Sequence, residues 1–222
     1  MSDDLAADRL ASVREAIGRA ARSAGRDADS IELVAVSKTW GAEAIVPLLA
    51  AGQRSFGENR VVEAAAKWPA LRAATPGVRL HLVGQLQSNK AEEAVALFDV
   101  IHGVDRLSLV SALGKAMTAQ DKWPACLIQV NIGAEPQKGG CAIAEVPALL
   151  AAARAAGLPV IGLMCVPPAD IEAAPFFAML AKLARAEGLA ALSMGMSADF
   201  ETGVMLGATI VRVGSALFGT RA

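Results

Sequence analysis

The stretch Ile31-Glu32-Leu33-Val34-Ala35-Val36-Ser37-Lys38-Thr39-Trp40 decides how this chain is read. An apolar run ends on Ser37-Lys38-Thr39, and a helical pattern follows over 41–51. Val34-Ala35-Val36 is continuously apolar rather than alternating, the mark of a strand covered on both faces. The same unit, a short apolar run and then a longer amphipathic or alanine-rich segment, recurs along the chain. Strands are expected over 31–37, 54–57, 79–84, 98–102, 125–131, 159–164, 190–193 and 209–213. Helices are expected over 41–51, 58–67, 88–96, 105–120, 144–156, 170–188 and 198–206, with an extra N-terminal helix at about 3–24. Eight strand-then-helix units are what a (β/α)8 TIM-type barrel requires. An open doubly wound sheet competes with it, but such a sheet carries a Gly-rich fingerprint after an early strand, and none is present. Only nine residues follow Val213, so the last helix has little room.

The 222 residues are 54% hydrophobic with a mean hydropathy of +0.42, enough for one sizeable core. No linker rich in Pro, Gly or Ser interrupts them, so residues 1–222 are read as a single domain and a self-sufficient monomer. Charge is nearly balanced, 21 basic against 22 acidic residues, with no basic block; no nucleic-acid partner is expected. Cys126, Cys141 and Cys165 lie too far apart for a metal pair or a disulfide framework, and two histidines are too few for a typical zinc site. The acidic start, Met1-Ser2-Asp3-Asp4-Leu5, is unlike a signal peptide. The longest apolar stretch, 155–169, is broken by three prolines and is too short to span a bilayer. The expectation is a cytoplasmic protein with no membrane partner.

In a barrel of this kind, functional groups sit on the loops after the C-terminal ends of the strands. The polar residues of this chain gather there: Ser37-Lys38-Thr39, Glu58-Asn59-Arg60, Gln85 to Lys90, His102 to Asp105, and Asn131 with Glu135, Gln137 and Lys138. Asn, Ser and Asp in these places also serve as helix N-caps, and Ser88, Asp105 and Ser197 fit that role. Capping does not account for Lys38, for Arg212 or for the two glycine loops. A lysine at the mouth of a buried strand can form a Schiff base with an aldehyde. Ser193-Met194-Gly195-Met196-Ser197 and Arg212-Val213-Gly214-Ser215 put small residues and hydroxyls where helices begin, after strands seven and eight, the frequent phosphate site of the fold. Arg212 sits inside an apolar strand and needs a buried partner, for which a pyridine nitrogen or a carboxylate is suitable. An aldehyde, a phosphate and a heteroaromatic nitrogen together describe pyridoxal 5′-phosphate (PLP).

LVAVSKTW (33–40), FGENR (56–60), HLVGQLQSNK (81–90), HGVD (102–105), VNIGAEPQKGG (130–140), GLMCVPP (162–168), LSMGMSADF (192–200) and VRVGSALFG (211–219) together resemble the PLP homeostasis protein family, the YggS/PROSC-like PLP-binding proteins. That family is similar in fold to the N-terminal barrel of alanine racemase. The resemblance implies that Lys38 carries PLP as a Schiff base and that Ser197, Gly214 and Ser215 hold its phosphate. It further implies that Arg212 meets the pyridine nitrogen and that Asn59 lies beside the ring; Met196 is a candidate for lining the cofactor. Gln85 and Gly139 depart from the commoner family residues.

The resemblance also implies a carrier or regulator of intracellular PLP with little or no turnover, with PLP-dependent apoenzymes as candidate recipients. The chain contains no tyrosine, the residue that barrel-type racemases use as a second base. An arginine at the ring nitrogen leaves that nitrogen unprotonated and weakens the ring as an electron sink. Two enzyme readings stand beside this one: a PLP-dependent racemase or decarboxylase, and a cofactor-independent aldolase using Lys38. The second needs an acid–base partner, for which Glu58, Asp105 and Glu135 are nominal candidates with a solvated role as the default. His81 is read as a hydrogen-bonded core or rim histidine, His102 as nearer the mouth, Cys165 as a small buried hydrophobe and Lys138 as a solvated loop lysine.

Overall fold

A computed structural model describes residues 2–219. Eight parallel strands close into a barrel in sequence order: β1 (Glu32–Val36), β2 (Ser55–Glu58), β3 (Arg79–Leu82), β4 (Val100–Val104), β5 (Ala125–Val130), β6 (Val160–Cys165), β7 (Ala191–Ser193) and β8 (Ile210–Val213). β8 closes on β1, with Val34 in register with Arg212. The barrel expected from the repeated strand-then-helix unit is thus the observed one. Around it run α1 (Ser2–Ser23), α2 (Ala42–Ala50), α3 (Val61–Ala74), α4 (Ala91–Leu97), α5 (Leu107–Gln120), α6 (Val146–Ala155), α7 (Ala174–Ala186), α8 (Phe200–Met205) and α9 (Ser215–Phe218).

The last two helices are short, and α1 packs on both of them and on α2. Its Leu10, Val13, Ile17, Ala20 and Ala21 are buried, a stripe at helical spacing on one face.

α3 shows where tertiary packing overrides a local signal. The sequence suggests a helix over 58–67. The structure keeps Glu58 on β2, starts the helix at Val61 and carries it through Pro69 to Ala74. A proline inside a helix costs about 3 kcal/mol. Trp68 and Leu71, either side of it, are both buried, and each contributes about 1.5–3 kcal/mol by leaving water. Continuing the helix therefore wins.

Inside the barrel, side chains two apart on a strand share a face. Val34, Val100, Leu127, Met164 and Ile210 form an inner apolar cluster. The positions two further along β4, β5 and β8 are His102, Gln129 and Arg212, all buried. The interior is thus apolar in one layer and carries three polar side chains in the next, towards the rim where the strands end. No helix of the described residues is long and apolar enough to cross a membrane.

Candidate functional site

The rim at the C-terminal ends of the strands holds a cleft of about 750 Å³, an ordinary size for a small-molecule site. Every expected site residue lines it: Lys38, Asn59, Met196, Ser197, Arg212, Gly214 and Ser215. Lys38 lies two residues beyond the end of β1 and is exposed, with its neighbour Thr39 in the left-handed region at φ 65°. Asn59 follows β2 and is held by close backbone packing. A Cβ on Gly84 would fall 2.3 Å from the Asn59 carbonyl oxygen, so only glycine lets the β3 loop approach there.

The β7–α8 loop needs glycine too. Gly195 has φ +94°, and a Cβ on it would stand 2.9 Å from Phe200 Cα. The Asp199 carboxylate accepts from the Met196 N–H at 2.6 Å and closes the loop. Ser197 Oγ then accepts from the N–H groups of Gly214 at 3.2 Å and Ala216 at 3.5 Å. Two backbone amides of the β8–α9 turn thus gather on a hydroxyl of the β7–α8 loop. That donor set suits a phosphate oxygen.

Arg212 is buried, and two of its three donor nitrogens have protein partners: Nη1 donates to Ser193 Oγ at 2.5 Å and Nη2 to the Cys165 carbonyl at 2.8 Å. Burial lowers its pKa from the ordinary arginine value, partly offset by Cys165 and Asp199. An arginine remains a cation and a donor only. Its protein partners are thus a hydroxyl and a carbonyl, and the guanidinium still lines the cleft.

Behind Arg212 a polar string runs through the barrel. Ser193 Oγ lies 2.9 Å from His102 Nδ1, His102 Nε2 lies 3.0 Å from His81 Nδ1, and His81 Nε2 lies 3.2 Å from Glu32 Oε1, off the line of a well-aligned hydrogen bond. Since Arg212 only donates, the Ser193 proton points to His102 Nδ1. Burial pushes the His102 pKa well below the ordinary histidine value, helped by the charges of His81, Arg212 and Arg79. A neutral His102 then carries its proton on Nε2, His81 accepts it at Nδ1, and His81 Nε2–H faces the Glu32 carboxylate. Burial alone would raise the Glu32 pKa; the approach of His81 Nε2, the hydrogen bond from Ser55 and the Arg79 charge outweigh it and hold the carboxyl near about 2.

Several expectations change here. His102 is nearer the rim than His81, as expected, but it is fully buried and does not open onto the mouth. Glu58 is fully buried, not solvated. Lys138 is only partly exposed; its ammonium donates to the Pro167 carbonyl at 2.8 Å and pairs with Glu135 at 2.6 Å. Gln85 and Gly139, the two departures from the family pattern, touch one another. A Cβ at 139 would meet Gln85 Nε2 at 1.9 Å, so a glycine there leaves room for the longer side chain. Ser193, Glu32 and Lys67 were not singled out from sequence. Period-two spacing back from Arg212 or His102 marks inward faces but does not say which inward residues meet.

Comparison with known proteins agrees with this fold. Residues 9–222 match the family model described as alanine racemase, N-terminal domain. The chain is 40% identical over 221 residues to the pyridoxal phosphate homeostasis protein of Pseudomonas aeruginosa, covering 97% of this chain and 95% of that one. It is 38% identical over 225 residues to the protein of the same name from Escherichia coli K12, covering 97% and 96%. The structure of PipY from Synechococcus elongatus with PLP bound superposes with a TM-score of 0.83 at 38% identity, covering 96% of this chain and 100% of that one. Alanine racemase of Clostridium difficile shares the fold at 14% identity and a TM-score of 0.75, covering 98% of this chain and 57% of that one. The chain belongs to the pyridoxal phosphate homeostasis protein family, built on the N-terminal barrel of alanine racemase.

Proposed function

We propose that this protein binds PLP in the rim cleft, anchors it covalently through Lys38 and serves PLP homeostasis as a carrier or regulator with little or no turnover. The observation that carries this reading is the gathering of Lys38, Arg212, Ser197, Gly214 and Ser215 around one cleft. PLP supplies an aldehyde for the lysine, a phosphate for the amides and a pyridine nitrogen for the arginine. Ser197 and the Gly214 and Ala216 amides form the anion end. Arg212, always charged, donates a hydrogen bond to the ring nitrogen without releasing its proton and so keeps the ring a weak electron sink. The absence of tyrosine removes the second base of barrel racemases. The names of the homeostasis relatives and the PLP-bound PipY structure support the same reading.

The reading extends to residues 1–222 as one domain and to a cytoplasmic monomer that passes PLP to dependent apoenzymes. A closed barrel has no unpaired strand edge to recruit a second copy. All three cysteines are unpaired, which suits a reducing compartment.

The test is a visible spectrum with and without added PLP, followed by borohydride reduction and peptide mapping. A yellow band should appear with wild type, the reduced adduct should map to Lys38, and folded Lys38→Ala should show no band. An adduct on another lysine, or no spectral change in wild type, overturns the proposal.

A further inference from the structure

One helix, α3, grips the turn that presents Lys38. Lys67 Nζ donates to the carbonyls of Ser37 and Trp40, each at 2.9 Å, one on either side of Lys38. The same ammonium lies 2.8 Å from Glu58 Oε1 and 3.5 Å from Glu63 Oε1. Glu58 Oε1 also accepts from the Ser37 hydroxyl at 2.6 Å and from Trp68 Nε1 at 2.9 Å. Glu63 accepts from the N–H of Thr39, whose left-handed conformation is thereby held. Trp40 stacks on Phe218 of α9, with ring centroids 5.6 Å apart and planes at 17°.

Lys67 is largely buried and Glu58 wholly so. A buried ion pair is a poor source of stability, because desolvating two charges offsets most of their attraction. This pair has a geometric use instead. An ammonium has three N–H donors, and here they meet two carbonyls and a carboxylate. Lys67 thus has no proton free for chemistry, while its contacts fix where the flexible Lys38 side chain begins.

We infer that Lys67, braced by Glu58, is the positioning residue that sets Lys38 for covalent capture of PLP. This rests on the reading of Lys38 as the PLP lysine. In the capture step the Lys38 amine would add to the aldehyde carbon, both hydrogens of the neutral amine would leave with the aldehyde oxygen as water and the carbon–nitrogen double bond would form, with no change in oxidation state. Lys67 touches neither reactant; it holds the backbone from which one of them projects.

The test separates covalent from non-covalent binding. Pyridoxine 5′-phosphate keeps the ring and phosphate of PLP but has an alcohol in place of the aldehyde, so Lys38 cannot capture it. Lys67→Met should weaken PLP binding, read from the visible band, by at least about tenfold through lost pre-organisation, and should slow the band's appearance. Affinity for pyridoxine 5′-phosphate, read by calorimetry, should stay within about twofold of wild type, since the phosphate and ring contacts are untouched. Lys67→Arg should retain most of the capture, because guanidinium still spans two carbonyls. Equal loss of both ligands, or full PLP capture by Lys67→Met, overturns the inference. If Lys67→Met fails to fold because Glu58 is left unpaired, the double variant Lys67→Met with Glu58→Met removes both charges and should give the same split. A wild-type protein that shows no PLP band defeats the parent reading instead, a different result from any of these.

Discussion

His81 Nδ1 and His102 Nε2 face each other at 3.0 Å in the closed interior of the barrel, with both residues wholly buried. They are the only histidines of the chain. Their contact joins two ends of opposite charge: the Arg212 cation at the rim and the Glu32 carboxylate at the start of β1. Each member donates in the same direction, so the dipoles of the string align from cation to anion. Low local dielectric strengthens such a string when every member is satisfied and penalises it when one is missing.

His102→Ala should show that penalty. It strands the Ser193 hydroxyl and His81 Nδ1 and leaves a cavity. The expected loss is about 2–4 kcal/mol, read from urea unfolding. A loss under about 1 kcal/mol would mean that water restores both partners.

Acid should attack the other end. The Glu32 carboxyl is held near about 2 in the folded protein, against an ordinary 4.5. A depressed folded pKa contributes stability that is fully present above the ordinary value and is lost as pH falls towards the folded one. A shift of that size is worth about 3 kcal/mol at most, falling away between pH 4.5 and about 2. Unfolding free energies measured across that window should decline steeply for wild type and more gently for Glu32→Gln. Parallel slopes would locate the acid sensitivity elsewhere.

Arg212→Ala affects more than the cofactor. In that variant Ser193 Oγ and the Cys165 carbonyl both lose a charged donor. Unfolding should become easier by about 2–4 kcal/mol along with the loss of affinity. Arg212→Lys keeps the charge but not the fork, and should recover part of the stability and little of the ring contact. Paired denaturation and PLP titration measure both.

The thiols should be inert in the folded state. Burial pushes Cys126 and Cys165 up to about 12 and, with the nearby Glu145 and Asp105 charges, Cys141 up to about 11. Thiolate is the reactive form. A disulfide reagent at pH 8 should label none of them until denaturant is added; prompt labelling of one would show that its shell opens.

Gly84→Ala places a methyl group against the Asn59 backbone, which cannot rotate away as a side chain would. The variant should shift the β2 loop and cost about 1–3 kcal/mol, seen in the melting temperature.

Much of this protein was written locally. Continuous apolar runs marked strands covered on both faces, and eight repeats of one unit led to the barrel. Lys38 and Arg212 stood out because charged residues sat at or within apolar strands, and the Gly-Ser pairs after strands seven and eight stood out by position. Other parts were less visible. Nothing local distinguishes Glu58 from a solvated carboxylate, because its burial comes from Trp68 and Lys67 on the following helix. Ser193 and His102 are 91 positions apart and meet only when the barrel closes. Alternation along a strand tells which side chains face inward; register and closure decide which of them touch. The chain's own order therefore determined the barrel and the lysine and arginine at its rim. Tertiary structure alone decided the histidine string behind the arginine and the grip on the lysine turn, because both depend on desolvated groups brought together from separate elements.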